Sequence, residues 1–550
     1  MLKAVPLHSI LFGVLPVLCA YSSLVAYLLP EELVLPLIVS LALAIVVLLL
    51  SYACLRNWCR AGIVTSALVL MNFSFDAMAA PANRLLSSFA LPHDDRVYLV
   101  PFTLLIFIII YLLLKAKSDY KAATSCLNIM SLLLVMGNAV YIAWHEYKIS
   151  LTMNKIYQND DKELAAIDLK QVQRSSNLGD SKNANESPDI YYFILDAFGR
   201  SDTLKEIYDF DNSSFIDGLK KRGFIIPAGS RSNYQMTCLS LPSSLNMQYL
   251  DYLEPTLGRN SADYSVLYRL IQRNKVTSLL KSLGYRYVNV RSGWSPTDYM
   301  PNADVNVGFA YGNVFHLALL RNTLIGPWQR DFDFLGWAAR KVRLYGLQNI
   351  DSIAQLQFQS QPQAQSQAPK FVFVHIVVPH PPFLFNEDGS TYPLGVISLS
   401  DKFEKEKYVA QVKFIQKQVL AMLDQLDKNP RKKVVIIQGD HGPALQNGSD
   451  GNPSPAFLRE RMRILNAYRL PDADSSLIYD GITPVNSFRV ILNHYFDAKL
   501  PLLADKCIYS PNPTPLQFVD VTREVTTDVT KDLTKETALD TPAKVAKDTQ

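Results

Sequence analysis

Cysteine is scarce where it would matter. Of six, Cys19, Cys54, Cys59 and Cys126 lie in or beside apolar runs, and only Cys238 and Cys507 fall in the polar remainder. Two cysteines cannot build a disulfide-dense scaffold. Net charge is scarce too. Lys and Arg number 54 against 50 Asp and Glu, and +4 over 550 residues gives no electrostatic case for nucleic-acid binding. The segment around Cys19 (PVLCAY) lacks the small residues expected before a lipidated cysteine. The first apolar run lacks a small-residue cleavage site, is too long for a signal peptide, and is followed at once by another run.

Charge is absent altogether from Val5–Leu29, Leu33–Leu55, Val97–Leu114 and Ala122–Trp144. Each is close to the roughly 20 apolar residues that cross a bilayer. Ala61–Ala82 is a fifth span, with Asp76 inside it and Asn72 four residues earlier on the same helix face. Lys3, Arg56, Arg60, Lys115, Lys117 and Lys121 fall on one side of five spans; Glu31, Glu32, Arg84, Asp94, Asp95 and Arg96 fall on the other. The basic side is expected to be cytoplasmic, which puts everything after Trp144 outside the cytoplasm. Residues 1–146 are thus expected to form a membrane region, 147–187 a connector, 188–518 a folded domain, and 519–550 a low-complexity tail with VTRE, VTTD, VTKD and LTKE repeats. Gln355–Pro369, rich in Gln, reads as a solvated insertion.

In the folded part, "DIYYFIL" (189–195), "YRYVNV" (285–290), "KFVFVHIVV" (370–378) and "KKVVIIQ" (432–438) are apolar, β-branched runs that read as buried strands. Helical patterns lie between them, at Val276–Leu283 and most clearly at Lys405–Leu426. Alternation of this kind predicts an α/β domain with a mainly parallel sheet.

Ligands of such sheets bind beyond the carboxyl ends of the strands. The residues there are Asp196, His380, and the adjacent pair Asp440 and His441 in "QGDHGP". "SNYQMTCLSLPSSLN", with Thr237, is a fourth place of interest. Two carboxylates and an imidazole suit Zn or Mn rather than Ca. Adjacent side chains converge only where the chain turns, and Gly439 and Gly442 read as permitting that turn. His375, inside a strand pattern, reads as a core histidine, and His494 as structural.

In this order, "YYFILDAFGR", "SNYQMTCLSLPSSLN", "FVFVHIVVPHPPF" and "VVIIQGDHGP" resemble the alkaline phosphatase superfamily. The closer resemblance is to its sulfatase-like branch, with lipoteichoic acid synthases and phosphoethanolamine transferases. It implies an alkaline phosphatase-like domain outside a bacterial inner membrane. It makes Asp196, Asp440 and His441 ligands of one divalent metal, Thr237 both ligand and nucleophile, and His380 a contact to the transferred group. Arg291, Trp294 and Arg461 are expected to meet substrate. Two features depart from the pattern. The phosphotransferases typically carry Glu where Asp196 stands. Cys238 is followed by Leu-Ser-Leu-Pro and no arginine, which does not fit the cysteine motif of sulfatases. The resemblance implies a transferase moving phosphoethanolamine or phosphoglycerol from a membrane lipid to a cell-surface glycan. A hydrolase of phosphate or sulfate esters and a non-catalytic membrane scaffold are the alternatives.

Overall fold

The computed structural model describes residues 5–89, 95–115, 118–167, 187–309, 314–328, 334–356, 368–392, 404–445 and 452–527. The N-terminal part is helical: α1 (Leu7–Ser23), α2 (Glu31–Leu55), α3 (Trp58–Phe73), α4 (Phe75–Ser88), α5 (Leu99–Lys115) and α6 (Lys121–Ala166). Among the described residues, only α2 and α6 are individually long and apolar enough to cross a membrane. The expected span 5–29 is a 17-residue helix followed by a short 3-10 turn, Val25–Tyr27. The expected span 61–82 is broken at Ser74, where α3 and α4 meet at a 51° bend. If that pair forms one span, the long apolar crossings number three. An apolar run specifies burial or lipid contact, and it does not specify an unbroken helix.

The expected boundary at 146/147 falls inside a helix. α6 continues without a break for 46 residues, about 69 Å at 1.5 Å per residue. The central part of the expected connector (168–186) lies outside the described residues, as do most of Gln355–Pro369 and residues 528–550 of the tail. The start of the tail belongs to the folded domain: Val521 and Val525 are buried against Phe457, Leu458, Met462 and Cys507.

The helical region has two ends. At one, the His8 N–H donates to Asn128 Oδ1 (2.7 Å) and Arg60 Nη2 donates to the Ser118 carbonyl (3.4 Å), joining the first turn of α3 to the segment before α6. The other end meets the folded domain. There the Tyr264 N–H donates to the Ala26 carbonyl (2.9 Å), His316 Nε2 donates to the Glu32 carbonyl (3.0 Å), and His145 Nε2 meets Asp263 Oδ2 (2.8 Å).

The folded domain is built on a six-stranded sheet of β1 (Asp189–Leu195), β2 (Arg286–Val290), β3 (Val305–Val307), β4 (Lys370–Ile376), β5 (Lys433–Gln438) and β6 (Asn466–Arg469), in the order β3-β2-β4-β1-β5-β6. All neighbours pair in parallel except β6, which runs antiparallel to β5. β1 is buried on both faces. Tyr191, Phe193 and Leu195 join the core of one layer, and Ile190, Tyr192 and Ile194 that of the other. Such two-sided burial is why the strands read as continuous apolar runs.

Further helices cover the sheet or join the domain to the membrane helices: α7 (Thr237–Asn246), α8 (Ser265–Gln272), α9 (Val314–Arg321), α10 (Lys405–Leu426), α11 (Pro455–Met462) and α12 (Pro484–Phe496). α10 packs Val412, Ile415, Val419 and Leu423 on one face, and α7 and α12 pack Leu241, Leu245 and Phe488 on the other. The expected helix 405–426 matches α10 in full, and the four expected strands match within two residues. β3 and β6 were not expected. Each is short, and β6 is an edge strand of four residues.

Candidate metal centre

Asp196 follows β1 directly. Its N–H donates to the Ile376 carbonyl of β4 (3.0 Å), which carries the chain past the end of the sheet. Ala197 then turns with φ +63°, a left-handed conformation rare for residues other than glycine. Tyr408 of α10 holds this turn: its hydroxyl donates to the Ala197 carbonyl (2.9 Å) and accepts from the Gly199 N–H (3.3 Å). The Ala197 N–H faces across to Asp440 Oδ1 (3.1 Å).

Asp440 and His441 follow β5. Ser232 and Ser240 both donate to the Asp440 carbonyl, at 2.6 and 2.7 Å. The two glycines do not have the role expected of them, because neither has a positive φ. They are sites of close approach instead. A Cβ on Gly439 would lie 2.5 Å from the Phe198 carbonyl oxygen, and one on Gly442 would lie 2.1 Å from that of Glu460. The pair converges because bare backbone packs against bare backbone on both sides of it.

His441 Nε2 is the hub. Around it stand Thr237 Oγ1 (3.1 Å), Asp440 Oδ2 (3.4 Å) and Asp196 Oδ1 (3.6 Å). His441 Nδ1 lies 3.0 Å from the Gly442 carbonyl. An N–H there leaves Nε2 with its lone pair, as a metal ligand requires. Burial first, and then the Arg461 charge, push this imidazole well below its ordinary pKa, so it stays neutral.

Asp196 and Asp440 are buried side by side. Burial and the charge of Asp196 push the Asp440 carboxyl above its ordinary range. Burial also opposes the Asp196 charge, but His380 and the contact with His375 outweigh it and hold that carboxyl below its ordinary range. Asp196 Oδ1, Asp440 Oδ2 and His375 Nε2 are buried with no hydrogen-bond partner. Buried polar atoms of native proteins are nearly always satisfied, so three orphans at one point make this cluster a candidate cation site. The donor set fits a borderline divalent ion. Nitrogen and oxygen atoms of Asp196, His380 and His441, and of Asp196, His375 and Asp440, lie within 4.8 Å of one another.

Thr237 opens α7, so its hydroxyl stands at a helix N-terminus, where partial positive charge favours an anion. It is half-buried, whereas Cys238 beside it is buried and its thiol is pushed up to about 12 by that burial. His380 is half-buried, with Nδ1 2.6 Å from the Pro381 carbonyl and its ring centroid 6.0 Å from that of His441.

The remaining expected residues divide. Arg461 reaches the cluster. Its Nε donates to the Gln235 carbonyl (2.8 Å) and Nη1 to the Gly442 carbonyl (2.7 Å), which aims Nη2 at His441 Nε2 (3.2 Å). Trp294 stands one layer out, edge-on to His375 at 5.5 Å between ring centroids. Arg291 is not brought in: it pairs with Asp298, and its Cβ and Cγ lie against Gly308.

His375 corrects the reading of a core histidine. Its Nδ1 is satisfied by Thr297 Oγ1 (2.8 Å), but its Nε2 points to Asp196 Oδ2 (3.4 Å). The signal was its place one residue before the end of β4, where side chains reach the site. Ser232, Ser240, Thr297 and Tyr408 had no signal in the sequence, since each acts through a contact distant along the chain.

A model of the sulfatase family matches residues 188–470, just over half of the 550 residues. The chain belongs to the sulfatase family. The expected resemblance to the sulfatase-like branch is thereby borne out. Solved structures similar to this sulfatase-family chain include the C-terminal periplasmic domain of EcEptC from Escherichia coli in complex with Zn. It is 12% identical over 60% of this chain and 92% of that one, with a TM-score of 0.38. The C-terminal periplasmic domain of phosphoethanolamine transferase EptC from Campylobacter jejuni is 12% identical over 60% and 94%, with a TM-score of 0.36. The soluble domain of lipooligosaccharide phosphoethanolamine transferase A from Neisseria meningitidis is 10% identical over 56% and 88%, with a TM-score of 0.36. No curated protein matches the chain.

Proposed function

We propose that this sulfatase-family chain is a metal-dependent transferase. It moves a phosphorus-containing headgroup, phosphoethanolamine or phosphoglycerol, from a membrane lipid to a cell-surface glycan through a phospho-Thr237 intermediate. The observation that carries the reading is Thr237 Oγ1, accessible at the start of α7 and 3.1 Å from His441 Nε2, beside the orphaned oxygens of Asp196 and Asp440. The sulfatase alternative that uses a modified cysteine is disfavoured by the burial of Cys238.

A divalent ion held by Asp196, Thr237, Asp440 and His441, Zn or Mn rather than Ca, would lower the pKa of the Thr237 hydroxyl and neutralise a phosphoryl oxygen. The chain's own groups do the rest. Thr237 Oγ1 forms the bond to phosphorus as its proton passes to solvent. The bond from phosphorus to the diacylglycerol oxygen breaks, and His380 gives that oxygen a proton. A glycan hydroxyl then attacks the phosphorus and returns a proton to His380; the bond from phosphorus to Thr237 Oγ1 breaks, and Oγ1 regains its proton from solvent. Arg461 Nη2, aimed by its two carbonyl contacts, holds a phosphoryl oxygen.

Membrane attachment belongs to this reading. The helical region crosses a bacterial inner membrane with the domain on the periplasmic side, by the five-span topology. The reading is supported by the grouping of Arg60 with the segment before α6 at the end opposite the domain. Donor lipid and active site then share one surface.

The test is a purified full-length protein with headgroup-labelled phosphatidylethanolamine or phosphatidylglycerol. A labelled Thr237 adduct and released diacylglycerol are expected, and Thr237→Ala should lose both by at least about a thousandfold. Neither product from the wild type sinks the proposal. Adduct turnover to free headgroup phosphate, unaffected by glycan, identifies the hydrolase instead.

A further inference from the structure

Asn72 was singled out in the sequence, and the metal centre does not use it. It serves a different contact: Asn72 Oδ1, near the end of α3, accepts from the Leu324 N–H (3.4 Å). Leu324 belongs to a lobe of the folded domain made of α9 and a 3-10 turn, Gly326–Trp328. One face of this lobe is buried against the membrane helices. Phe315 and Leu319 form a cluster with Val17, Tyr21, Val25 and Leu28, joined by Leu37 of α2 and Ile142 of α6. Leu324 joins Phe75, Ala79 and Phe102, along with Ile106 of α5.

Val25 and Leu28 lie just beyond the end of α1, but Val17 and Leu37 lie inside their helices. Leu37 is six residues into α2, so the first cluster extends about 9 Å below the helix end at 1.5 Å per residue. The lobe has therefore descended to the depth of the apolar belt. Its outer face carries two large apolar side chains, Ile325 (58% exposed) and Trp328 (42%), with the exposed Arg321 at the end of α9. That exposure continues the outer surface of α2 and α5, where Val34, Leu35, Val100 and Leu104 are also exposed. The Arg96 guanidinium sits over the Trp328 ring at 5.7 Å, joining a cation to an interfacial aromatic. The lobe backbone satisfies itself: the Gly326 N–H donates to the Thr323 carbonyl (2.9 Å) and that of Trp328 to the Ile325 carbonyl (3.0 Å). A segment entering a low-dielectric layer must do this.

We propose that residues 314–328 dip into the outer leaflet, with Ile325 and Trp328 at the boundary between headgroups and acyl chains. The occupant of the exposed face is phospholipid. The inference rests on the membrane reading of the N-terminal helices. The folded domain is thus seated in the bilayer by its own apolar wedge as well as held by the helices.

Trp144, 56% exposed midway along α6 and next to the His145 contact with the domain, supplies the internal control. The full-length chain is placed in nanodiscs of phosphatidylcholine brominated either near the headgroup or near the chain terminus. Tryptophan emission is then compared for wild type, Trp328→Phe and Trp144→Phe. Both substitutions are expected to remove part of the quenched emission, and the Trp328 component should respond more strongly to shallow bromines. Quenching that Trp144→Phe diminishes and Trp328→Phe leaves unchanged overturns the lobe proposal alone and assigns the face to a protein partner. No quenching of either residue overturns the membrane reading with it.

Discussion

At the scale of single residues, the candidate centre depends on hydrogen bonds that choose which nitrogen of each histidine faces the ion. Gly442 does this for His441, and Thr297 does it for His375. Second-layer partners of this kind are worth about 10–100-fold in metal affinity. Thr297→Val, which keeps the shape and deletes the hydroxyl, is accordingly expected to weaken Zn binding by about that factor in calorimetric titration, with Thr297→Ser close to wild type. Unchanged affinity in the valine variant would mean that His375 takes no part in the site. His375 also shows a limit of reading residues one at a time. A strand buried on both faces contains a histidine, and nothing local says whether its second nitrogen ends in the core or at Asp196.

At the scale of elements, the turn after β5 is held by close contact with α11 and the segment after it. A Cβ on Gly442 would sit 2.1 Å from the Glu460 carbonyl oxygen and 3.2 Å from that of Arg463. Both are main-chain atoms, so neither can swing aside. Gly442→Ala should cost about 1–3 kcal/mol of stability and displace His441. Lowered melting temperature together with lost Zn binding is the expected result; a variant that melts and binds as wild type would show that the loop has room to spare. Element identity was legible where periodicity ran long, as in α10, and where apolar runs ended in turn residues, as in β1 and β5. It was illegible for β6. Its four residues form a strand only because Gln438 of β5 pairs with Asn466, a partner 28 residues away.

For the whole molecule, the junction between α6 and the folded domain carries a titratable contact. Asp263, and after it Glu146, raise the His145 imidazole to about 9. Glu146 in turn pairs with Arg269 of α8. A histidine whose folded pKa stands above its ordinary 6.5 contributes stability that is fully present below pH 6.5 and is lost as pH rises through about 9. The amount is about 2 kcal/mol, since the pair is largely shielded from water. The full-length protein in detergent should therefore melt at lower temperature at pH 9.5 than at pH 6.5, and His145→Gln should flatten that difference. An equal pH response in the variant would place the titration elsewhere.

What depends on neighbours in the chain was legible from the order of residues alone. That order specified an apolar N-terminal region, buried parallel strands alternating with helices, and chemistry-bearing residues at the strand ends, because burial and turn formation leave local patterns. Tertiary structure decided what depends on distance in space. It broke the run at Ser74, carried α6 into the expected connector as far as Ala166, turned His375 toward Asp196 and Arg291 away, and assigned Gly439 and Gly442 to backbone contact. The physical reason is the same in each case. Steric fit and the satisfaction of buried polar groups are properties of pairs, and the members of these pairs lie far apart along the chain.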